Sequence, residues 1–93
     1  MSPEVKKGFC VLSKKGRDKD RVFVVLYMLD ADFAYIADGR TRKMDHPKRK
    51  KVKHLRAMPF EFPELCSMYE QHTLKDSDIR EALASVAPEK AEE

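Results

Sequence analysis

The chain has 93 residues with a formal net charge of +3, and 38% of them are charged. A chain of this length forms one domain with a small core, which leaves little room for an internal catalytic cavity. It contains no apolar run of about 18 residues, and its opening segment MSPEVKKGF lacks the apolar stretch of a secretory signal, so we expect a cytoplasmic protein that does not insert into membranes.

Short apolar segments at the start of the chain predict β-strands. Residues 8–12 (GFCVL) predict the first strand, and the polar segment 13–20 (SKKGRDKD) predicts a surface loop. Residues 21–28 (RVFVVLYM) form an unbroken apolar run, which is typical of a strand that is buried on both faces.

The third predicted strand covers residues 33–37 (FAYIA) and ends at Asp38-Gly39. This dipeptide is favoured in two-residue hairpins, where both positions need a positive φ. Because side chains alternate along a strand, Ala34 and Ile36 are expected on one face and the three other residues of the strand on the opposite face.

We expect a return strand over 41–44, a basic loop over 46–51 (HPKRKK) and a short closing strand over 52–55. Five short strands linked in this way describe a mainly β fold, a small barrel in which no strand edge is left open. The barrel is assigned to residues 6–56.

The remaining sequence predicts a helical C-terminal extension over residues 57–88, packed on or next to the barrel. Pro63 opens one predicted helix that runs to about His72. A second helix is expected over 74–87, with Asp76 or Ser77 as its cap, Glu81 near the capping-box position, and an apolar stripe formed by Ile79, Leu83 and Val86. The tail at 89–93 is expected to be disordered.

Catalytic and metal-binding motifs are not found in the sequence. It has no GxxxxGK[ST], GxSxG or HExxH motif, and Cys10 and Cys66 are too far apart in sequence to predict a metal-binding pair or a disulfide framework. Aspartates 30, 32 and 38 fall at predicted turns, where this residue hydrogen-bonds its own backbone. We therefore expect two reduced thiols, no cofactor, no metal and no enzymatic activity.

Positive charge is concentrated in the first part of the chain. Residues 1–56 hold 16 Lys and Arg against 7 Asp and Glu, a net charge of +9, whereas residues 57–93 hold 3 against 9, a net charge of −6. Such a segment predicts a polyanionic partner, because neutralising phosphates releases counterions and supplies affinity. RNA is therefore the expected partner, and a membrane surface is disfavoured because the cluster lacks the spacing of an amphipathic helix.

Two clusters supply the candidate RNA contacts. The first lies in the predicted loop and comprises Lys14, Lys15, Arg17, Lys19 and Arg21; Asp18 and Asp20 of the same loop are assigned a structural role in its turn. The second comprises Arg40, Arg42, Lys43, Lys48, Arg49, Lys50, Lys51 and Lys53, followed by Arg56. The second cluster is the denser one, so we expect it to provide most of the affinity.

Aromatic side chains on the predicted strands are possible stacking partners for bases. Of Phe23, Tyr27, Phe33 and Tyr35, three are expected in the core. Tyr35 is the best candidate for exposure, with Arg40 as its expected neighbour.

The segment from Gly8 to Leu26, GFCVLSKKGRDKDRVFVVL, resembles a KOW motif, a strand-loop-strand element of several ribosomal proteins and transcription elongation factors. The following FAYIADGRTRKMDHPKRKKVKHL is similar to the rest of the barrel in bacterial KOW-domain RNA-binding proteins, which resemble the fourteen-e class of large-subunit ribosomal proteins. The resemblance covers about residues 6–56 and implies an SH3-like barrel that binds ribosomal or other structured RNA. Asp20 stands where the motif usually carries glycine, and Asp is among the less costly residues at positive φ.

These observations predict a monomeric, non-catalytic and ribosome-associated RNA-binding protein, with ribosomal proteins as further partners. The alternative is a protein-interaction adaptor that docks on the translation or transcription machinery through the barrel or the acidic helical tail. The stripe on the second helix decides part of this question, since it either packs on the barrel or faces a partner.

Overall fold

A computed structural model of the chain describes residues 5–17 and 19–86. Asp18 and the expected disordered tail at 89–93 therefore lie outside the described residues. The elements in chain order are β1 (Phe9–Ser13), β2 (Val22–Met28), β3 (Phe33–Ala37), β4 (Lys48–Lys51), a 3-10 turn (Val52–His54), β5 (Leu55–Glu61), α1 (Pro63–Glu70) and α2 (Asp76–Ala84).

The strands form one antiparallel sheet in the order β4-β3-β2-β1-β5. Strands β1 to β4 follow one another as neighbours, and β5 returns to the first strand, where Ser13 lies opposite Leu55. The predicted mainly β fold, a small barrel of about five strands followed by one or two short helices, is confirmed. The prediction that the barrel leaves no edge is wrong, because β4 and β5 form the two ends of the hydrogen-bonded order and are linked by the 3-10 turn.

Strand β2 is buried on both faces, as its unbroken apolar sequence predicted. Phe23 and Val25 lie in an inner core with residues of β1, β3 and β5. Val24 and Leu26 lie in an outer core, which both helices cover. An irregularity in the pairing of β2 with β3 between Val25 and Tyr27 explains why the two consecutive residues Leu26 and Tyr27 both belong to the outer side.

The two helices are attached to the outer face of the sheet. Leu65 and Cys66 of α1 and Ile79 and Leu83 of α2 are all buried in the outer core. Burial of these side chains stabilises the packing of the helices on the sheet, at about 25 cal/mol for each Å² of apolar surface removed from water. Among the described residues, no helix is long and apolar enough to cross a bilayer.

The start of α2 differs from its predicted cap. Lys75 occupies the N-cap position, and its backbone N–H donates to Oδ2 of Asp78 at 3.0 Å. Asp78 therefore has the role that the sequence assigned to Glu81. Asp76 instead accepts a hydrogen bond from the backbone N–H of Met44 at 2.8 Å, and so ties the helix to the segment before β4.

The segment between β3 and β5 contains the main corrections to the predicted elements. The expected return strand at 41–44 is absent from the assigned strands, and the second half of the predicted basic loop forms β4. Lys and Arg have poor strand propensity, so pairing with β3 determines this conformation. Residues 52–54 form a 3-10 turn, and β5 continues to Glu61, past the expected barrel boundary at residue 56.

Asp38-Gly39 does not form the predicted two-residue hairpin. Only Gly39 of the pair has a positive φ, of 78°. The backbone N–H groups of Asp38 and Gly39 both donate to the carbonyl of Arg42, which opens a longer loop to β4. We call residues 38–47 the β3–β4 loop.

Candidate nucleic-acid interface

The loop that joins β1 to β2 is held in a defined shape by its backbone. The N–H of Asp20 donates to the carbonyl of Ser13 at 2.8 Å, and Asp20 has a φ of 70°. Residue 20 therefore lies in the left-handed region, which Asp tolerates better than most residues. The structural role expected of Asp20 is confirmed.

Lys50 fastens this loop to the edge strand β4. It lies opposite Ala34, on the side of the sheet that faces the inner core, and it is only 8% exposed. Its Nζ donates to the carbonyl oxygen of Lys15 at 3.0 Å. The side chain therefore positions other cations, and its own ammonium is directed at the protein backbone.

A second backbone link joins the same loop to the 3-10 turn, since the N–H of Lys14 donates to the carbonyl of His54 at 2.9 Å. Both links bring together cations that are distant in sequence. We define the lysine surface as His54 together with the exposed residues Lys14, Lys15, Lys51 and Lys53.

The pKa of His54 reflects the positive charge of the lysine surface. Partial burial lowers the pKa of its imidazole below the ordinary 6.5, and the positive charges of Lys15, Lys51, Lys53 and Lys50 lower it further. Within residues 5–17 and 19–86, the charged groups that shift the pKa of this ring are all lysines. The same field that disfavours an imidazolium favours a bound phosphate.

A second basic group lies on the β3–β4 loop, which Asp38 organises. One carboxylate oxygen, Oδ1, accepts hydrogen bonds from the backbone N–H groups of Arg40 and Arg42, each at 2.9 Å. Arg21 joins this group, because its Nη1 donates to Oγ1 of Thr41 at 3.1 Å. Helix α2 also fixes the loop, because Nη1 of Arg80 donates to the carbonyl oxygen of Gly39 at 2.8 Å.

In the structure, most of the predicted RNA contacts lie in one of two groups. Lys14, Lys15, Lys51 and Lys53 meet at the lysine surface, and Arg21, Arg40, Arg42 and Lys43 meet at the β3–β4 loop. Arg17 and Lys19 are exposed in the loop after β1, whereas Lys48 is half-buried on β4. Sequence analysis did not identify His54, whose place in the 3-10 turn depends on pairing between distant strands.

The aromatic side chains differ from the prediction that three of the four would be core residues. Phe23 is fully buried, but Tyr27, Phe33 and Tyr35 are half-buried. The Tyr27 ring stacks on Tyr35 with centroids 4.7 Å apart, and on Tyr69 of α1 at 6.1 Å. Tyr35 pairs across the strands with Arg49, which places a guanidinium residue beside it on β4.

Phe33 lies at the end of this aromatic row, beside the lysine surface. The Cζ atom of Arg49 is 5.0 Å from the centroid of the Phe33 ring, which is within the range of a cation–π contact. Phe33 also lines a pocket of about 430 Å³, together with Ala31, Asp32, Lys51, Val52 and Lys53. Cations, an aromatic ring and a concave surface therefore occur within one region.

The turn aspartate Asp30 and the two cysteines have structural roles. Oδ1 of Asp30 accepts from the N–H groups of Asp32 and Phe33, as expected of a turn aspartate. Cys10 and Cys66 are both buried and reduced, and burial raises the pKa of the Cys66 thiol. No group of acidic, His and Cys side chains suited to a metal ion occurs among the described residues.

Comparison of the chain with models of known protein families finds no match, and comparison with the curated proteins finds none either.

Proposed function

We propose that this protein is a non-catalytic, cytoplasmic RNA-binding protein that associates with ribosomal or other structured RNA. The observation that carries the proposal is the convergence of Lys15, Lys51 and Lys53 around His54 from a loop, a strand and a 3-10 turn. Solubility alone does not require cations from separate elements to be gathered in this way. A polyanion that binds there gains from counterion release at each neutralised phosphate.

Two further features support phosphate recognition of this kind. The links from Lys50 to the Lys15 carbonyl and from Lys14 to the His54 carbonyl fix the surface before any ligand binds, which reduces the ordering cost of binding. The resemblance of residues 8–26 to a KOW motif favours the same loop as an RNA contact. Recognition would then depend on RNA shape and phosphate position.

The adaptor alternative loses the apolar stripe of the second helix as a docking surface. Ile79, Leu83 and Val86 are buried in the outer core, so this stripe packs on the sheet of its own chain. An adaptor would have to use the barrel or the acidic exterior of the helices. RNA binding therefore has the stronger support.

The salt dependence of RNA binding tests the proposal directly. The variant Lys15→Gln with Lys53→Gln removes two positive charges from the lysine surface, and Lys6→Gln with Lys75→Gln removes two exposed charges elsewhere. For a single-stranded oligonucleotide, each lost phosphate contact lowers the slope of log K against log salt by about 0.7, so the first variant should lose about 1.4. Between 50 and 200 mM salt, its affinity should consequently fall roughly sevenfold less than that of the unchanged protein.

The control variant should keep a slope close to that of the unchanged protein. Equal slopes for the two variants would show that the lysine surface is not the contact. Absence of RNA binding by the unchanged protein would refute the proposed function itself.

A further inference from the structure

We propose that the pocket beside Phe33 accepts one unpaired base of an RNA strand whose phosphates lie on the lysine surface. This inference rests on the proposed function and specifies the substrate as RNA with an unstacked nucleotide. The pocket lies where the turn after β2 meets the 3-10 turn. Its two walls are joined by a hydrogen bond of 2.8 Å from the N–H of Val52 to the carbonyl of Asp32.

The lining has an apolar part that suits the flat face of a base. Phe33 and Val52 are half-buried, so each keeps exposed apolar surface, and Ala31 adds a small exposed side chain. The volume of about 430 Å³ lies within the range of roughly 300 to 1,000 Å³ that is usual for small-ligand pockets. Base stacking on an aromatic ring contributes about 1–3 kcal/mol by alanine substitution.

Two exposed lysines connect this pocket to the phosphate-binding surface. Lys51 and Lys53 line the pocket, and both also act electrostatically on His54. A strand that lies across the lysine surface therefore passes the mouth of the pocket. A nucleotide carries its base and its phosphate on the same unit, so the two regions match the two ends of one ligand.

Asp32 distinguishes a base from a bare anion as the occupant. It is exposed and lines the same pocket, and its carboxylate repels phosphate and accepts hydrogen bonds from amino groups. Cytosine, adenine and guanine all carry exocyclic amino groups, whereas uracil does not. The arrangement therefore favours an unpaired cytosine, adenine or guanine over uracil.

Arg49 adds a second planar group at the same place. Its guanidinium carbon is 5.0 Å from the centre of the Phe33 ring, and bases stack on guanidinium planes as well as on aromatic rings. Lys51 pairs with Phe33 across the strands, and Arg49 is two residues before it on β4. The alternation of β4 thus places both cations on the side of the sheet where the ring lies.

The test uses an RNA hairpin with a single unpaired 2-aminopurine, whose fluorescence falls when it stacks. Phe33→Leu keeps apolar volume but removes the ring, and Phe33→Tyr keeps the ring. Phe60→Leu is the matched control, because Phe60 is an exposed phenylalanine on β5 and does not line the pocket. Circular dichroism and urea unfolding establish that each variant is folded.

We expect Phe33→Leu to lose the fluorescence quenching and at least about fivefold in affinity, with no change in the salt slope. Phe33→Tyr and Phe60→Leu should keep both the quenching and the affinity. Quenching that survives in a folded Phe33→Leu variant, with RNA still bound, would overturn the base pocket and leave the proposed function intact. Cytidine or adenosine monophosphate that binds as tightly as the hairpin would also overturn it, because the site would then serve free nucleotides.

Discussion

Replacing Gly39 with alanine is expected to loosen the contact between the β3–β4 loop and α2. A Cβ atom built on Gly39 lies 2.5 Å from the carbonyl oxygen of Asp76 and 3.0 Å from Cγ of Arg80. The first of these atoms belongs to the backbone of the helix and cannot move aside alone. The variant must therefore shift the helix or the loop that carries Arg40 and Arg42.

Gly16 provides a matched control for this substitution. Its φ is 85° against 78° at Gly39, so alanine meets a similar left-handed backbone at both positions. A Cβ on Gly16, however, has only Nζ of Lys50 within contact distance, at 3.4 Å, which is an ordinary van der Waals contact. The backbone penalty should amount to about 1–2 kcal/mol at either site. Overpacking adds about 1–3 kcal/mol at Gly39 alone.

Urea unfolding of the two variants measures the difference in their free energies of unfolding. Gly39→Ala should be less stable than Gly16→Ala by at least about 1 kcal/mol, which corresponds to a melting temperature about 4–8 °C lower for a domain of this size. Equal destabilisation by the two variants would show that α2 does not press on the β3–β4 loop in solution. The β3–β4 loop would then be held by contacts other than its packing on α2.

Two further predictions concern single side chains near the proposed interface. Asp38→Ala removes an acceptor of two backbone N–H groups and should destabilise the protein by about 1–3 kcal/mol, while Asp38→Asn, which keeps one oxygen, should cost less in urea unfolding. Because the pKa of His54 is lowered in the folded chain, the unfolded chain binds this proton more readily, so the contribution of His54 to stability is present above pH 6.5 and lost as the pH falls below it. Urea midpoints at pH 7.5 and 5.5 should therefore differ less in His54→Gln than in the unchanged protein, and an identical difference would contradict this linkage. Bound RNA should shift the pKa of His54 in the opposite direction, because a neighbouring phosphate favours the imidazolium. The affinity for RNA should therefore rise as the pH falls.

The parts of the fold that were predicted correctly have strong local signals. Strand β3 has the predicted bounds, since FAYIA combines good strand propensity with alternating burial. Strand β4 was interpreted as a loop because four consecutive cations, Lys48–Lys51, resemble a solvated segment. Only the pairing of this segment with β3 fixes it as a strand, and that contact is not encoded locally.

In the candidate site, too, the sequence predicts residue types but does not predict contacts between residues that are distant in the chain. The sequence identified the cations but not their grouping, because Lys15 and Lys53 meet only after β1 pairs with β5. It also treated Lys50 as equivalent to its neighbours, although strand alternation turns that one lysine inward. A lysine in a basic run could have been recognised as a positioning residue only if the run had been interpreted as a strand.

The pairing of β1 with β5 also constrains the order in which the chain can fold. Strand β1 is synthesised first, but its second neighbour ends only at Glu61, so the barrel stays incomplete until two thirds of the chain exist. Cys10, Val24 and Leu26 then remain uncovered until α1 and α2 follow. Such long-range closure slows folding and leaves apolar surface exposed in the meantime. A nascent chain stalled before α1 would therefore be prone to aggregate through this uncovered face.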